Sequence, residues 1–145
     1  MTLCSAKAER LEELTGTDAE DIRRLSLQLT EDAQFDADAL RGAIRAGNIA
    51  IFAIRVNSRI AAAATVAFYT TPTGRHCRIE DVIVDKSARG TGLGRGIMTQ
   101  TLDALKRAGV KSAELTSRPS RIEANALYKV LGFAPRVTNV YEYRF

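Results

Sequence analysis

The chain is expected to fold as an α+β protein on a mixed, mostly antiparallel sheet of about six to seven strands, with about four helices. Two β-rich runs, 49–56 and 59–69, flank Asn57-Ser58 with the spacing of a hairpin. A third run, 79–84, leads through the glycine turn 89–94 into a segment whose Ile97, Met98, Thr101, Leu102 and Leu105 share one helical face. A short strand at 113–116 follows that helix. These two strands should therefore be parallel neighbours joined by a right-handed crossover.

At 145 residues the sequence reads as one domain, 1–145, long enough to bury its own core. No apolar run has the length of a membrane span and no secretion signal is visible, so a cytoplasmic protein is expected. Cys4 and Cys77 are too few for a disulfide framework, and with a single histidine they make no metal site; no metal is expected. The net charge of +4 divides into −6 over residues 1–40 and +10 over 41–145. Either the acids solvate two surface helices or they face a cationic partner. The basic part lacks clustered Lys/Arg with interleaved aromatics, so no nucleic-acid partner is expected.

Residues 9–14 read as a short strand ended by Gly16, with Thr17 and Glu20 as a capping box for a helix buried through Ile22, Leu25 and Leu29. Asp36 caps a second helix, in which Leu40, Ala43 and Ile44 face inward and which Gly47-Asn48 stops. The strand 59–69 is alanine-rich, so a neighbour must pack closely against it. Residues 70–75, with Pro72 and Gly74, read as a loop into the strand at 77–84. The helix after the glycine turn runs to about Ala108, before Gly109. Pro119 ends the strand 113–116, and Ser120 with Glu123 caps a last helix with Ile122, Ala126, Leu127, Val130 and Leu131 as its buried stripe. Asn125 and Tyr128 lie on a face offset from that stripe, where Tyr128 is a boundary residue or a functional one. Residues 137–145, with Val140, Tyr141, Tyr143 and Phe145, form a final strand.

A glycine turn that opens a helix presents unpaired N–H groups at the positive end of the helix dipole, which suits a phosphate; Arg89 and Arg95 add charge. The dinucleotide fingerprint does not fit glycines at 90, 92, 94 and 96. Glu114 stands near the distance of the ribose-binding acid, but only one parallel crossover exists. The triphosphate loop fails as well, because no Gly-Lys pair occurs. Arg89-x-x-Gly92-x-Gly94 after a strand resembles the coenzyme A pyrophosphate loop of the GNAT superfamily of N-acetyltransferases. A second motif, 115–119 followed by Asn125, Tyr128 and Leu131-Gly132-Phe133, resembles that superfamily's later segment. The order of elements matches across nearly the whole chain. The phrase Ile79-Glu80-Asp81-Val82 is similar to the glucosamine-phosphate acetyltransferase branch.

The resemblance implies acetyl-CoA as co-substrate and direct attack of a primary amine on its thioester. Amides of Gly90, Thr91, Gly92, Leu93, Gly94 and Arg95 would bind the pyrophosphate. The backbone of Val82, Ile83 and Val84 would pair with the pantetheine arm, the Val82 N–H stabilising the oxyanion. Asn125 would help hold that arm and Tyr128 would protonate the leaving thiolate. Glu80 and Asp81 point to opposite faces of a regular strand, so only one can face the acceptor. The resemblance favours Glu80 as base, directly or through water, with its pKa raised on a mostly apolar strand; the alternative is an ion pair with Arg78. His76 is expected to be simply exposed. The acceptor would be a small cationic amine, an aminosugar or a lysine, and the aromatic last strand would allow a homodimer. A non-catalytic acyl-CoA sensor on the same fold is the competing reading.

Overall fold

The computed structural model describes residues 6–145, so Cys4 lies outside the described residues. Strand β1 (Ala8–Arg10) precedes helices α1 (Gly16–Leu29) and α2 (Ala37–Arg45). Strands β2 (Ile49–Val56), β3 (Arg59–Thr71) and β4 (Gly74–Val84) follow, and then helices α3 (Leu93–Arg107) and α4 (Ile122–Val130). The sheet has the order β1-β2-β3-β4 with every neighbouring pair antiparallel. Asn57 and Ser58 both adopt positive φ, 51° and 64°, the left-handed pair that matches a two-residue turn to the twist of its strands.

Alternation along the strands divides the core in two. Ala50, Phe52, Ile54, Ala62, Ala64 and Val66 pack with Leu93, Ile97, Met98 and Tyr128 beneath α3 and α4. Ile51, Ala53, Ile60 and Ala63 pack with Leu11, Ile22 and Leu25 beneath α1. The alanines of β3 let helices approach from both sides, as the sequence required. Each fully buried Leu or Ile contributes roughly 1.5–3 kcal/mol relative to exposure.

Several boundaries differ from the sequence reading. Thr15, not Thr17, caps α1: its Oγ1 accepts from the Asp18 N–H at 3.1 Å, and Gly16 is the first helical residue. Both threonines satisfy the same local pattern, and Leu14, buried just ahead, favours the earlier one. The strand expected at 9–14 shortens to Ala8–Arg10, because Leu11 and Leu14 turn into the core. Asp36 caps α2 as expected, accepting from the Asp38 and Ala39 N–H groups at 3.0 and 2.9 Å. The expected loop at 70–75 tightens into a second hairpin, with Thr71 opposite Gly74.

The strand count is lower than expected. The segment at 113–116 survives as one parallel bridge between Arg78 and Glu114, which preserves the expected parallel neighbour but not a full strand. Residues 137–145 join no strand: Val137, Val140, Tyr141, Tyr143 and Phe145 are exposed, so alternation alone did not supply a paired edge. The stripe of α4 is also turned. Ile122 and Val130 are 76% and 67% exposed, and the buried residue of this helix is Tyr128, at 7%. The expected Ser120 cap is absent; Arg121 occupies the N-cap without a side-chain bond. No helix among the described residues is long and apolar enough to cross a membrane.

Candidate functional site

The site is built where β4 parts from the segment that follows α3. The Ile79 N–H donates to Glu114 O at 2.8 Å and the Glu114 N–H donates to Cys77 O at 3.2 Å. Beyond Ile79 no further pairing between these segments occurs among the described residues. On its other edge β4 stays bound to β3, where the Asp85 N–H donates to Ala61 O at 2.8 Å and Ala63 faces Ile83. Amides alternate in direction along a strand, so those of Val82 and Val84 point away from β3, into the gap. The Val84 carbonyl there accepts from Arg89 Nε at 3.3 Å.

A bulge re-aims this part of β4. Thr65 pairs with Glu80 and Ala63 with Ile83, so Asp81 and Val82 together oppose Ala64. Asp81 has φ 47° and is exposed. The strict alternation expected for Glu80 and Asp81 therefore breaks at this point. Glu80 is half exposed and forms an ion pair with Arg78, Nε to Oε1 at 3.0 Å. The expected apolar confinement of Glu80 is not found; the ion-pair alternative is. His76 is half-buried rather than simply exposed: its ring stacks on Tyr69 at 5.3 Å and its Nε2 meets the hydroxyls of Thr71 and Thr73.

Past Val84 the chain makes one 3₁₀ turn (Lys86–Ala88), then Arg89, and enters α3 through Gly90 and Gly92 with φ 75° and 89°. These two glycines hold left-handed conformations that a side chain would strain. Leu93 is buried, so its side chain anchors the turn in the core beneath α3 and α4. The Gly96 N–H makes the first helical bond, to Gly92 O, which leaves the N–H groups of Leu93, Gly94 and Arg95 without intrahelical acceptors. A Cβ on Gly94 would lie 3.6 Å from Val84 Cγ2 and 3.8 Å from Leu127 Cδ2, so this residue sits between β4 and α4.

Tyr128 enters the same region from α4, edge-to-face with Phe133 at 5.8 Å. Burial pushes its phenol pKa up, and the Arg121 charge opposes this only in part, so the phenol stays protonated at neutral pH. Asn125, one turn earlier, donates through Nδ2 to Arg118 O at 3.0 Å and so fixes the turn ahead of α4. The buried Ser117 hydroxyl, one residue before Arg118, has no partner among the described residues. Continuing the Arg78–Glu114 register would set Ser117 opposite Asp81, at the mouth of the gap. The sequence places Ser117 within the 115–119 motif but assigns it no role, because a lone serine carries no spacing signal.

The structure thus brings Val84, Gly94 at the end of the glycine turn and Leu127 of α4 together, beside the edge of β4 that stays unpaired beyond Ile79. Many of the acids of the first third are spent internally. Asp18 pairs with Arg55, Asp21 with Arg59 and Arg24, and Asp38 with Arg41, while Asp36 caps α2. A separate groove of about 520 Å³ between α1 and α2, lined by Arg23, Leu27, Phe35 and Asp36, includes no residue of β4, the glycine turn or α4.

Comparison with known proteins bears on the family and the fold. The family model described as "Acetyltransferase (GNAT) family" matches residues 11–133. A mycothiol acetyltransferase of Beutenbergia cavernae is 42% identical over 52 residues, which span 36% of this chain and only 18% of that protein. A crystal structure of an aminoglycoside acetyltransferase from an uncultured soil metagenomic sample superposes with a TM-score of 0.81 at 19% identity, covering 96% of this chain and 95% of that one. A transcriptional regulator from Bacillus halodurans gives 0.79 at 20% identity, covering 97% and 99%. At these identities the two structures share the fold.

Proposed function

Since the chain belongs to the GNAT family of acetyltransferases, we propose that it transfers the acetyl group of acetyl-CoA to a primary amine. The observation that carries this reading is the parting of β4 from the 113–116 segment beyond Ile79, next to the left-handed glycine turn. An extended amide-bearing arm can pair with the backbone of Val82, Ile83 and Val84 in that gap, as a strand pairs with a free edge. The amides of residues 90–95 then meet a pyrophosphate at the start of α3.

In the transfer, the amine nitrogen forms a bond to the thioester carbon and the carbon–sulfur bond breaks. Glu80, directly or through water, takes the amine proton, and Tyr128 gives its proton to the departing thiolate. The Val82 N–H stabilises charge on the thioester oxygen in this reading. Asn125 serves by holding the turn at Arg118. The acceptor is a small cationic amine, an aminosugar or a lysine, taken up in the cytoplasm. A second copy of the chain is the partner that would cover the exposed side chains of 137–145, so Tyr143→Asp should shift a sedimenting dimer to monomer.

The test is calorimetric titration of acetyl-CoA into the wild-type chain and Gly92→Val, followed by an amine screen with free-thiol readout and Tyr128→Phe as control. Micromolar binding lost in the variant, with amine-dependent thiol release, supports the reading. No binding by folded protein overturns it. Binding with no turnover on any amine would instead favour an acyl-CoA sensor.

A further inference from the structure

Helix α1 presents two side chains, one turn apart, to the segment that leads from β4 into the glycine turn. Arg24 donates through Nη1 to Asp85 Oδ2, and its Nη2 donates to Ile60 O at 3.0 Å and pairs with Asp21 at 3.4 Å. Gln28 Oε1 accepts from the Lys86 N–H at 2.9 Å. The other oxygen of Asp85 accepts from the Ser87 N–H and hydroxyl, at 2.9 and 2.8 Å, and so shapes the 3₁₀ turn. The start of the loop is thus gripped by β3 on one side, through Ala61 O, and by α1 on the other.

These contacts are more than α1 requires to stay in place. Ile22 and Leu25 already bury its inner face, and Asp21 already accepts from Arg59 and from the Ile60 N–H at 2.9 Å. We propose that Arg24 and Gln28 are positioning residues for the cofactor loop. They fix the direction in which the chain leaves β4, and hence where the amides of residues 90–95 point. This inference rests on the preceding assignment of that loop to coenzyme A. It makes the tilt of α1 a determinant of cofactor affinity, and by linkage makes cofactor binding a determinant of the order of α1.

The experiment compares Arg24→Gln, Gln28→Ala and their double variant with Arg59→Gln, which also removes a partner of Asp21 but touches nothing in the loop. Coenzyme A is the calorimetric probe. The double variant should bind at least tenfold more weakly and raise KM for acetyl-CoA with kcat within twofold. Arg59→Gln should lower Tm yet leave Kd within twofold, and Arg24→Lys, which keeps the charge, should recover part of the loss. Equal shifts in Arg24→Gln and Arg59→Gln, or no shift in the double variant, would overturn the proposal while the acetyltransferase reading stands. If the wild type binds no coenzyme A, that reading fails, and amide hydrogen exchange over residues 86–92 decides the positioning role. Faster exchange in the double variant alone supports it, and unchanged exchange overturns it.

Discussion

Alanine substitutions at Gly92 and Gly94 should separate what the turn needs to fold from what it needs to bind. Gly92 has φ 89°, where an L-residue costs about 1–2 kcal/mol. For 145 residues, an unfolding entropy of roughly 2.1 cal/mol/K per residue converts each kcal/mol into about 3 °C. Gly92→Ala should therefore lower Tm by about 3–6 °C. Gly94 carries no such strain, and its new methyl would make ordinary contacts at 3.6 and 3.8 Å with Val84 and Leu127. In a helical position Ala is favoured over Gly by about 0.5–1 kcal/mol, so Tm should stay level or rise by up to about 3 °C. The same methyl stands against Val84, beside the gap assigned to the pantetheine arm, and should weaken acetyl-CoA binding tenfold or more. Paired thermal melts and titrations read both effects. A large Tm loss in Gly94→Ala would refute the packing, an unchanged Tm in Gly92→Ala the left-handed turn, and unchanged affinity in Gly94→Ala the placement of the arm.

Further outcomes follow from other sites. Tyr128→Phe should lower kcat for acetyl transfer by about 10²–10⁴-fold, the range of a lost general acid, with Tm and acetyl-CoA affinity nearly unchanged; full activity would remove Tyr128 from the chemistry. Because burial raises the Tyr128 pKa above its ordinary 10.0, the unfolded chain ionises first, and stability should fall as pH rises past that value. Phe at this position should flatten that fall in denaturant titrations. Burial alone would raise the Asp21 pKa, but bonds from Arg59 and the Ile60 N–H leave it below the ordinary 3.8. Its stabilisation should therefore be complete above that value and drain away as pH falls below it, and Asp21→Asn should remove this slope along with part of the neutral-pH stability. Ser58→Gly should stabilise the β2–β3 hairpin by about 0.5–1 kcal/mol by relieving a positive φ, measured by urea midpoint.

Where local chemistry decides structure, the sequence was readable. Asn57-Ser58 set the hairpin, Asp36 sets the cap of α2, and Gly90 and Gly92 set the turn, because each acts within a few residues. Errors arose where two local solutions compete or where a partner decides. Thr15 and Thr17 both offer a capping hydroxyl, and the burial of Leu14 chose between them. The expected α4 stripe holds at Leu127 and Leu131, which are half-buried, and fails at Ile122, Ala126 and Val130, because the Tyr128 ring fills the space beside Phe133. Of the candidate site, the loop and Tyr128 are legible in the sequence as motifs. The Arg24–Gln28 grip is not, since contacts spanning 58 and 61 residues leave no spacing to read.

The bulge at Asp81 gives β4 a phase shift. Ile79 belongs to the core beneath α3 and α4, yet Ile83, four residues later, belongs to the core beneath α1. In an unbroken strand both would face the same way. The extra residue thus works as a counter: it decides which side of the sheet receives everything from Val82 onward. A chain shortened by one residue here would keep every glycine of the turn and Tyr128, and would deliver the turn with its faces exchanged. Length at this position is therefore as much a part of the site's specification as the identity of any side chain in it.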